Sequence, residues 1–332
     1  MIKLTSCKLV TGLLLLLAAL AVHAQMGLDI DLNRTVYMQY EPVYACISLR
    51  NDSGRALVFG SDPRLQGFIL FEIRDANGRV VPKRPGAEIS VTGLILGPGE
   101  VKRMVLPVNK YYNIDALGTY RINVYLSHSM LPSEYKSRDL KFQVAKGVDN
   151  WSRTVGIPDL TGKNAGKAIP RTYTIRSLVE GSNRYYYLIV EDAQKVFGVM
   201  RIGRAIGQEK FQAEIDMLSR IHLLMPVSPK VGHYLAFSID GENIANEYRK
   251  TTSTIPSLLR DPVSGTVSLV GGEPARIGID FKDPSYGKTR ASKLIEDDAD
   301  DDAGGLPAVT PQEKRTAPVN RGLVDLAPKT SR

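Results

Sequence analysis

The chain has 332 residues, a formal charge of +8 and 43% hydrophobic residues. That length can supply two domain-sized cores. With only Cys7 and Cys46, a small fold stapled by disulfides is excluded, and no dense Lys/Arg run interleaved with aromatics marks a nucleic-acid-binding face.

Lys3 and Lys8 give the N-terminus a short positive head, and residues 9–22 are almost wholly apolar. That run is shorter than the roughly 20 residues of a spanning helix. Val22-His23-Ala24 puts small residues at, and three back from, a cut before Gln25. This layout predicts a secretory signal peptide over residues 1–24. The processed protein is then expected to be secreted or periplasmic, with no later membrane span. The scarcity of cysteine points to a bacterial source. No cofactor is expected in that compartment. Loss of Lys3 and Lys8 lowers the charge to +6, a mild excess that suits solubility and weak attraction to anionic surfaces.

Residues 25–147 read as a first β-rich domain. Val43, Ala45, Ile47 and Leu49 alternate with Tyr44, Cys46, Ser48 and Arg50, the period of a half-buried strand. Cys46 lies on the phase opposite to the apolar stripe, so it is either covered or free to bond a partner. Asn51-Asp52-Ser53-Gly54 ends the strand. Ile69, Phe71 and Ile73 mark another inner face, followed by the hairpin loop Asp75-Ala76-Asn77-Gly78. A turn at Leu96-Gly97-Pro98-Gly99-Glu100 precedes a strand over 101–106. Gly118-Thr119-Tyr120 leads into Ile122 and Val124, and Leu140, Phe142 and Val144 close the set. Seven or eight short strands at this spacing predict a sandwich.

The stretch Val36-Tyr37-Met38-Gln39-Tyr40-Glu41-Pro42-Val43 resembles the start of an immunoglobulin-like module of secreted bacterial proteins. Asp115-Ala116-Leu117-Gly118-Thr119-Tyr120 resembles a tyrosine corner, with Ile122 where antibody domains carry their second cysteine. The inter-sheet disulfide and its tryptophan are absent. The pattern is similar to macroglobulin-type domains and to small bacterial proteinase-inhibitor sandwiches. The resemblance covers about 120 residues, the first domain only; it implies a fold and leaves function open.

Residues 148–284 form the second expected domain, an antiparallel β unit starting near Trp151. Strands are predicted over 172–175, 185–190 and 195–202, with a turn at Glu191-Asp192-Ala193-Gln194. Over 211–225, alternation places Phe211, Ala213, Ile215, Met217, Ile221, Leu223 and Met225 on one face. This matches more positions than a helix does, so two strands bending near Ser219 are expected. A hairpin follows about Asp240-Gly241, and Pro262-Val263-Ser264-Gly265 turns into a strand over 266–270. Residues 221–241 are similar to one sialidase-type propeller repeat. A propeller needs several blades, and no others are found. The fold class is therefore all-β: an immunoglobulin-like sandwich, a second antiparallel β domain, and a disordered Pro-rich acidic tail over 285–332.

Asp216 and His222 are the best polar pair, facing each other across the bend near Ser219, with Glu214 and Arg220 close by. A carboxylate orienting an imidazole is half of a general base, but no nucleophile can be assigned to it and no catalytic residue is named. Tyr185, Tyr186 and Tyr187 lie in a strand, so Tyr186 points opposite to its neighbours. At least one ring then faces outward unless covered, which suits protein or sugar contacts. His128, His222 and His233 lack paired metal-ligand spacing. Gly162-Lys163-Asn164-Ala165-Gly166-Lys167 has one residue too few between its glycines for a phosphate loop. The acidic run 296–302 lacks the glycine and terminal glutamate of a calcium loop. The sequence therefore predicts a non-enzymatic binding or assembly module. Its partner is expected to be a protein, with a cell-envelope or glycan surface also open and nucleic acid excluded. The alternative is a hydrolase, or a carbohydrate-active or carbohydrate-binding protein, with its site on the second domain around these five residues.

Overall fold

The computed structural model describes residues 25–158, 167–207, 210–282 and the backbone of Gln312–Glu313. The expected signal peptide, the stretch 162–166 and nearly all of the expected tail lie outside the described residues. Those described are almost entirely β, as expected, with a single helical turn, α1 (Val108–Tyr111), and one short 3-10 turn (Pro63–Leu65). They divide into two compact units. The first holds residues 25–148, 178–185 and 276–282; the second holds 149–177, 186–275 and 312–313.

In the first unit the strands are β1 (Met26–Leu32), β2 (Val36–Met38), β3 (Tyr44–Asn51), β4 (Leu57–Val58), β5 (Gly67–Arg74), β6 (Ile95–Leu96), β7 (Val101–Pro107), β8 (Gly118–His128), β9 (Tyr135–Lys136) and β10 (Leu140–Ala145). One sheet has the order β1-β3-β7, all antiparallel. The other has the order β2-β10-β8-β5, with β2 parallel to β10 and β9 pairing with β8. Both sheets contribute to one core. Ile30, Ala45, Ile47 and Leu49 of the first join Phe71, Ile73, Ile122, Val124 and Phe142 of the second. Val43, Ala45, Ile47 and Leu49 have no solvent exposure at all, so the alternation read from β3 is the alternation that packs. Cys46, on the opposite phase, is buried as well, so its thiol is not presented at the surface.

Aromatic rings interlock this core. Tyr37 meets Phe142 edge-on at 5.7 Å, and Tyr120 stacks on Phe142 at 5.3 Å. The Tyr120 hydroxyl donates back to the Ala116 carbonyl at 2.6 Å, which fixes the chain as it enters β8. Buried Asp115 accepts from Arg84 at 3.2 and 3.3 Å and anchors the same approach.

The remaining strands, which belong to the second unit apart from Val148 and the stretches 178–180 and 183–185, are β11 (Val148–Pro158), β12 (Ala168–Glu180), β13 (Asn183–Glu191), β14 (Lys195–Arg204), β15 (Gln212–Ile215), β16 (Ile221–Ser228), β17 (Val231–Phe237), β18 (Asn243–Lys250), β19 (Ser257–Arg260), β20 (Val267–Val270), β21 (Glu273–Pro274) and β22 (Gln312–Glu313). They form sheets of order β11-β12-β13-β14-β22 and β15-β16-β17-β18-β21, plus the hairpin β19-β20. The two five-stranded sheets share a core. Tyr173, Ile175, Leu188, Val190, Met200 and Ile202 come from one, and Ile215, Ile221, Leu223, Met225, Leu235 and Phe237 from the other.

The second of these sheets is covered on its other face too. There Leu224, Tyr234 and Ala236 pack with Leu258 and Leu269 of the β19-β20 hairpin. A strand buried on both faces loses its alternation. That is why 221–225 reads Ile-His-Leu-Leu-Met and why a helix competed with strands there. The bend falls at Ser219, with φ +61°, as the alternation predicted. Met217 departs from its expected inward phase. It sits in the turn and is 64% exposed, because a turn residue leaves the pleat.

Candidate functional site

The Asp216–Arg220 hairpin end is built from Asp216 outward. The Asp216 N–H donates to the Arg220 carbonyl at 3.0 Å, and the Ser219 N–H donates to the Asp216 carbonyl at 3.0 Å. Between them lie three loop residues, with Ser219 in the left-handed position where glycine is usual. The Asp216 carboxylate holds this loop. Its Oδ1 accepts from the Leu218 and Arg220 N–H groups, each at 2.9 Å. Its Oδ2 accepts from Arg220 Nε at 2.7 Å and lies 2.6 Å from the other guanidinium nitrogen. From the first sheet of the unit, the Tyr173 hydroxyl donates to the Ser219 carbonyl at 2.6 Å.

His222 follows in β16. Its Nε2 is 3.3 Å from Asp216 Oδ2, and its Nδ1 is 2.8 Å from the Tyr234 hydroxyl of β17. Burial pushes the imidazole pKa below its usual value, and the Asp216 carboxylate offsets this only in part. Burial also works against ionisation of Asp216. The hydrogen bonds from Arg220 and His222 outweigh it and hold the carboxyl below its ordinary range. A neutral imidazole beside an ionised carboxylate carries its proton on Nε2. Nδ1 then accepts from the Tyr234 O–H, which burial keeps protonated by raising its pKa.

Arg220, Asp216, His222 and Tyr234 thus form one continuous hydrogen-bonded chain. Asp216, His222 and Tyr234 are 6%, 5% and 8% exposed. Both carboxylate oxygens and both ring nitrogens are engaged, so no lone pair faces an incoming substrate. What the arrangement can do is lock a turn. The structure brings the expected pair together and adds Tyr234, twelve positions from His222 and paired with it only through the β16–β17 ladder.

The three tyrosines are placed differently. Tyr187 is 1% exposed and packs inside. Tyr186 is half-buried against the second-unit core and meets Phe211 edge-on at 5.2 Å. Tyr185 is half-buried and falls in the 178–185 segment of the first unit. None of the three offers a fully exposed ring. An open groove on the second unit runs past Lys210, Lys230, Pro226 and Pro256, and none of the five expected residues lines it. Among the described residues, no cluster of three or more His, Cys, Asp or Glu side chains is arranged to hold a metal ion.

A surface that sequence reasoning missed lies on the first unit. On the outer face of β5, Phe68 is 49% and Leu70 39% exposed. Across the ladder from Leu70 stands Tyr125 of β8, with Lys136 Nζ 5.1 Å over its ring. Glu72 adjoins them, accepting from the Tyr125 hydroxyl at 2.9 Å and from Arg74 Nε at 2.8 Å. Burial opposes ionisation of Glu72, yet the hydrogen bonds from Arg74, Tyr125 and Asn123 bring its pKa down to about 2. Asn123 is 4% exposed, and its Oδ1 has no hydrogen-bond partner among the described residues. The available signal was the run Phe68-Ile69-Leu70-Phe71, apolar on both phases of a strand with one buried face.

No known family model matches this chain, and comparison with curated proteins finds no relative.

Proposed function

We propose that this protein is a secreted or periplasmic binding and assembly module that acts through protein–protein contacts rather than catalysis. Its first unit is read as an immunoglobulin-like sandwich. Two facing sheets over one core and the Tyr120 corner bond to Ala116 support that reading.

The observation that carries the function is the outer face of β5 and β8. Phe68 and Leu70 of the edge strand β5 and Tyr125 of its neighbour β8 make one apolar patch, bordered by Glu72, Arg74 and Lys136. An apolar centre with a charged rim is the anatomy of a docking face. The buried Asn123 Oδ1 at its border is an acceptor in want of a donor. The hydrolase reading rests on the Asp216–His222 contact, and the saturation of both groups favours a bracing role for it.

The test is site-specific photocrosslinking in the living host. A benzoylphenylalanine at position 68 is expected to give one discrete protein adduct, lost when Leu70→Asp is added. The same probe at Val263, exposed on the second unit, is expected to lack that adduct. Absence of any adduct at position 68, or persistence in the Leu70→Asp variant, would sink the proposal.

A further inference from the structure

Two turns of the second unit lie side by side. One is the Asp216–Arg220 turn; the other joins β19 to β20 through Asp261-Pro262-Val263-Ser264-Gly265. The Met217 N–H donates to the Gly265 carbonyl at 3.0 Å. Gly265 has φ +66°, and a Cβ there would lie 3.2 Å from Met217 Cβ. Only glycine allows so close an approach in that conformation. The pair of turns displays Met217 at 64%, Leu218 at 59% and Val263 at 95% exposure.

The backbone of this tip is organised in an unusual way. Asp261 repeats the role of Asp216: its Oδ1 accepts from the Val263 N–H at 2.7 Å and the Ser264 N–H at 3.1 Å. The Gly265 N–H donates to the Asp261 carbonyl at 2.9 Å. Pro262 has no N–H to satisfy. From Met217 to Arg220, and from Val263 to Gly265, every backbone N–H therefore has an acceptor inside the two turns. The apolar side chains point out, and the donors behind them are already spent.

We infer that this tip docks into the interfacial region of an anionic phospholipid bilayer. A protein socket would normally exchange hydrogen bonds with a loop it receives, about one per 100–200 Å². With its backbone donors spent, the tip can seat among lipid headgroups without stranding an N–H, and its carbonyls stay within reach of interfacial water. Three side chains also make a footprint well short of the roughly 800 Å² that each partner contributes to a stable protein interface. Insertion into lipid needs no such complementary area.

The charges fit an anionic surface. Arg260 is exposed at the base of the tip, and Arg220 stands beside it, paired to buried Asp216. The one carboxylate exposed at the tip, Asp261, spends its Oδ1 on the Val263 and Ser264 N–H groups. Without Lys3 and Lys8 the chain still carries +6. Apolar insertion with a guanidinium at headgroup depth is a two-part attraction, each part weak alone. It is independent of the protein-docking face on the first unit.

The test uses sedimentation with vesicles of phosphatidylethanolamine and phosphatidylglycerol, three parts to one. The protein is expected to bind them. A triple variant, Met217→Ser with Leu218→Ser and Val263→Ser, should bind at least about tenfold more weakly. Arg260→Gln should lose about fivefold on these vesicles and nothing on pure phosphatidylcholine. A Val263→Trp probe should shift its emission to the blue when vesicles are added. Both variants share the apolar N-terminal segment with the parent, so the comparison isolates the tip. Failure of the parent to bind, equal binding by the triple variant, or an unshifted tryptophan on sedimented protein overturns the inference. So does a protein adduct formed at position 263 without any vesicle effect.

Discussion

Among the described residues neither unit holds a disulfide, and the two fill that gap differently. The first relies on aromatic interlock: Tyr37, Tyr120 and Phe142 form a stacked and edge-on set inside one core between two sheets. The second has a mostly aliphatic core and a sheet buried on both faces. On its outer side it carries a polar chain that is buried at Tyr234, His222 and Asp216 and reaches the surface at Arg220. Apolar packing has no pH dependence of its own, whereas a hydrogen-bonded imidazole does. The difference teaches that position in the layers decides what a polar residue can do. Asp115 and Asp216 are both buried and both bound to an arginine, and Asp216 is joined as well to His222, whose imidazole burial pushes below its ordinary pKa.

Emptying the aromatic core should have the largest effect. Phe142→Ala removes a ring that is 2% exposed, and the first unit should lose about 3–5 kcal/mol. In calorimetry the second unit's transition should stay where it is. If both transitions fall together, the two cores do not melt as separate units.

Asp216→Ala comes next. It strips the acceptor from two backbone N–H groups, Arg220 and His222 at once. Arg220 is 41% exposed, so water offsets part of the loss, and about 2–4 kcal/mol is expected from the second unit alone. A loss under about half a kcal/mol would show that the polar chain does not brace the fold.

Acid should separate the units more gently. The folded pKa of His222 lies below its ordinary 6.5, with burial as the main cause. Above pH 6.5 both states are neutral and stability is level. Below it the unfolded chain takes up a proton that the folded one refuses, so second-unit stability declines as pH falls toward the folded value. His233 is lowered by burial too and adds to the decline. His222→Gln should remove part of the slope in a pH series of unfolding midpoints, and His233→Gln another part. Asp216, with its pKa below 3.8, begins its own loss only in stronger acid. A slope unchanged in both variants would place the acid response elsewhere.

The smallest effect has the opposite sign. Ser219 holds φ +61° without being glycine. Ser219→Gly should relieve that conformation and raise second-unit stability by about 0.5–1 kcal/mol. Gly265→Ala should lower it, since the added Cβ meets Met217. Urea midpoints of the two variants should therefore move apart.

Much of this was legible locally. The stripe Val43, Ala45, Ile47 and Leu49, the return at Ser219 and the hairpin about Gly241 all follow from period-two alternation and turn chemistry. Side chains alternate across any strand whatever lies beyond it, so a few adjacent residues suffice. The meeting of Asp216 and His222 was legible for the same reason, because one tight turn joins them.

Other features depend on strands far apart in the chain. β11 carries Trp151, Val155 and Ile157 on one phase, but Arg153 interrupts that run and leaves its alternation incomplete. Tyr186 and Tyr187 look available in sequence and are taken up by packing. Met217 fits the inner stripe by spacing but is turned outward. Phe68 and Leu70 become a patch only because Tyr125, more than fifty residues later, pairs opposite Leu70.

That the chain is all-β, which residues alternate toward a core, and where several turns fall can all be read locally. Those properties are set by backbone geometry over a few residues. The second layer over Tyr234 and the meeting of the Asp216 and Asp261 turns, with their apolar residues outward, come from packing between distant strands. Such neighbours are chosen by the free energy of whole sheets closing over a core, and no local pattern carries that information.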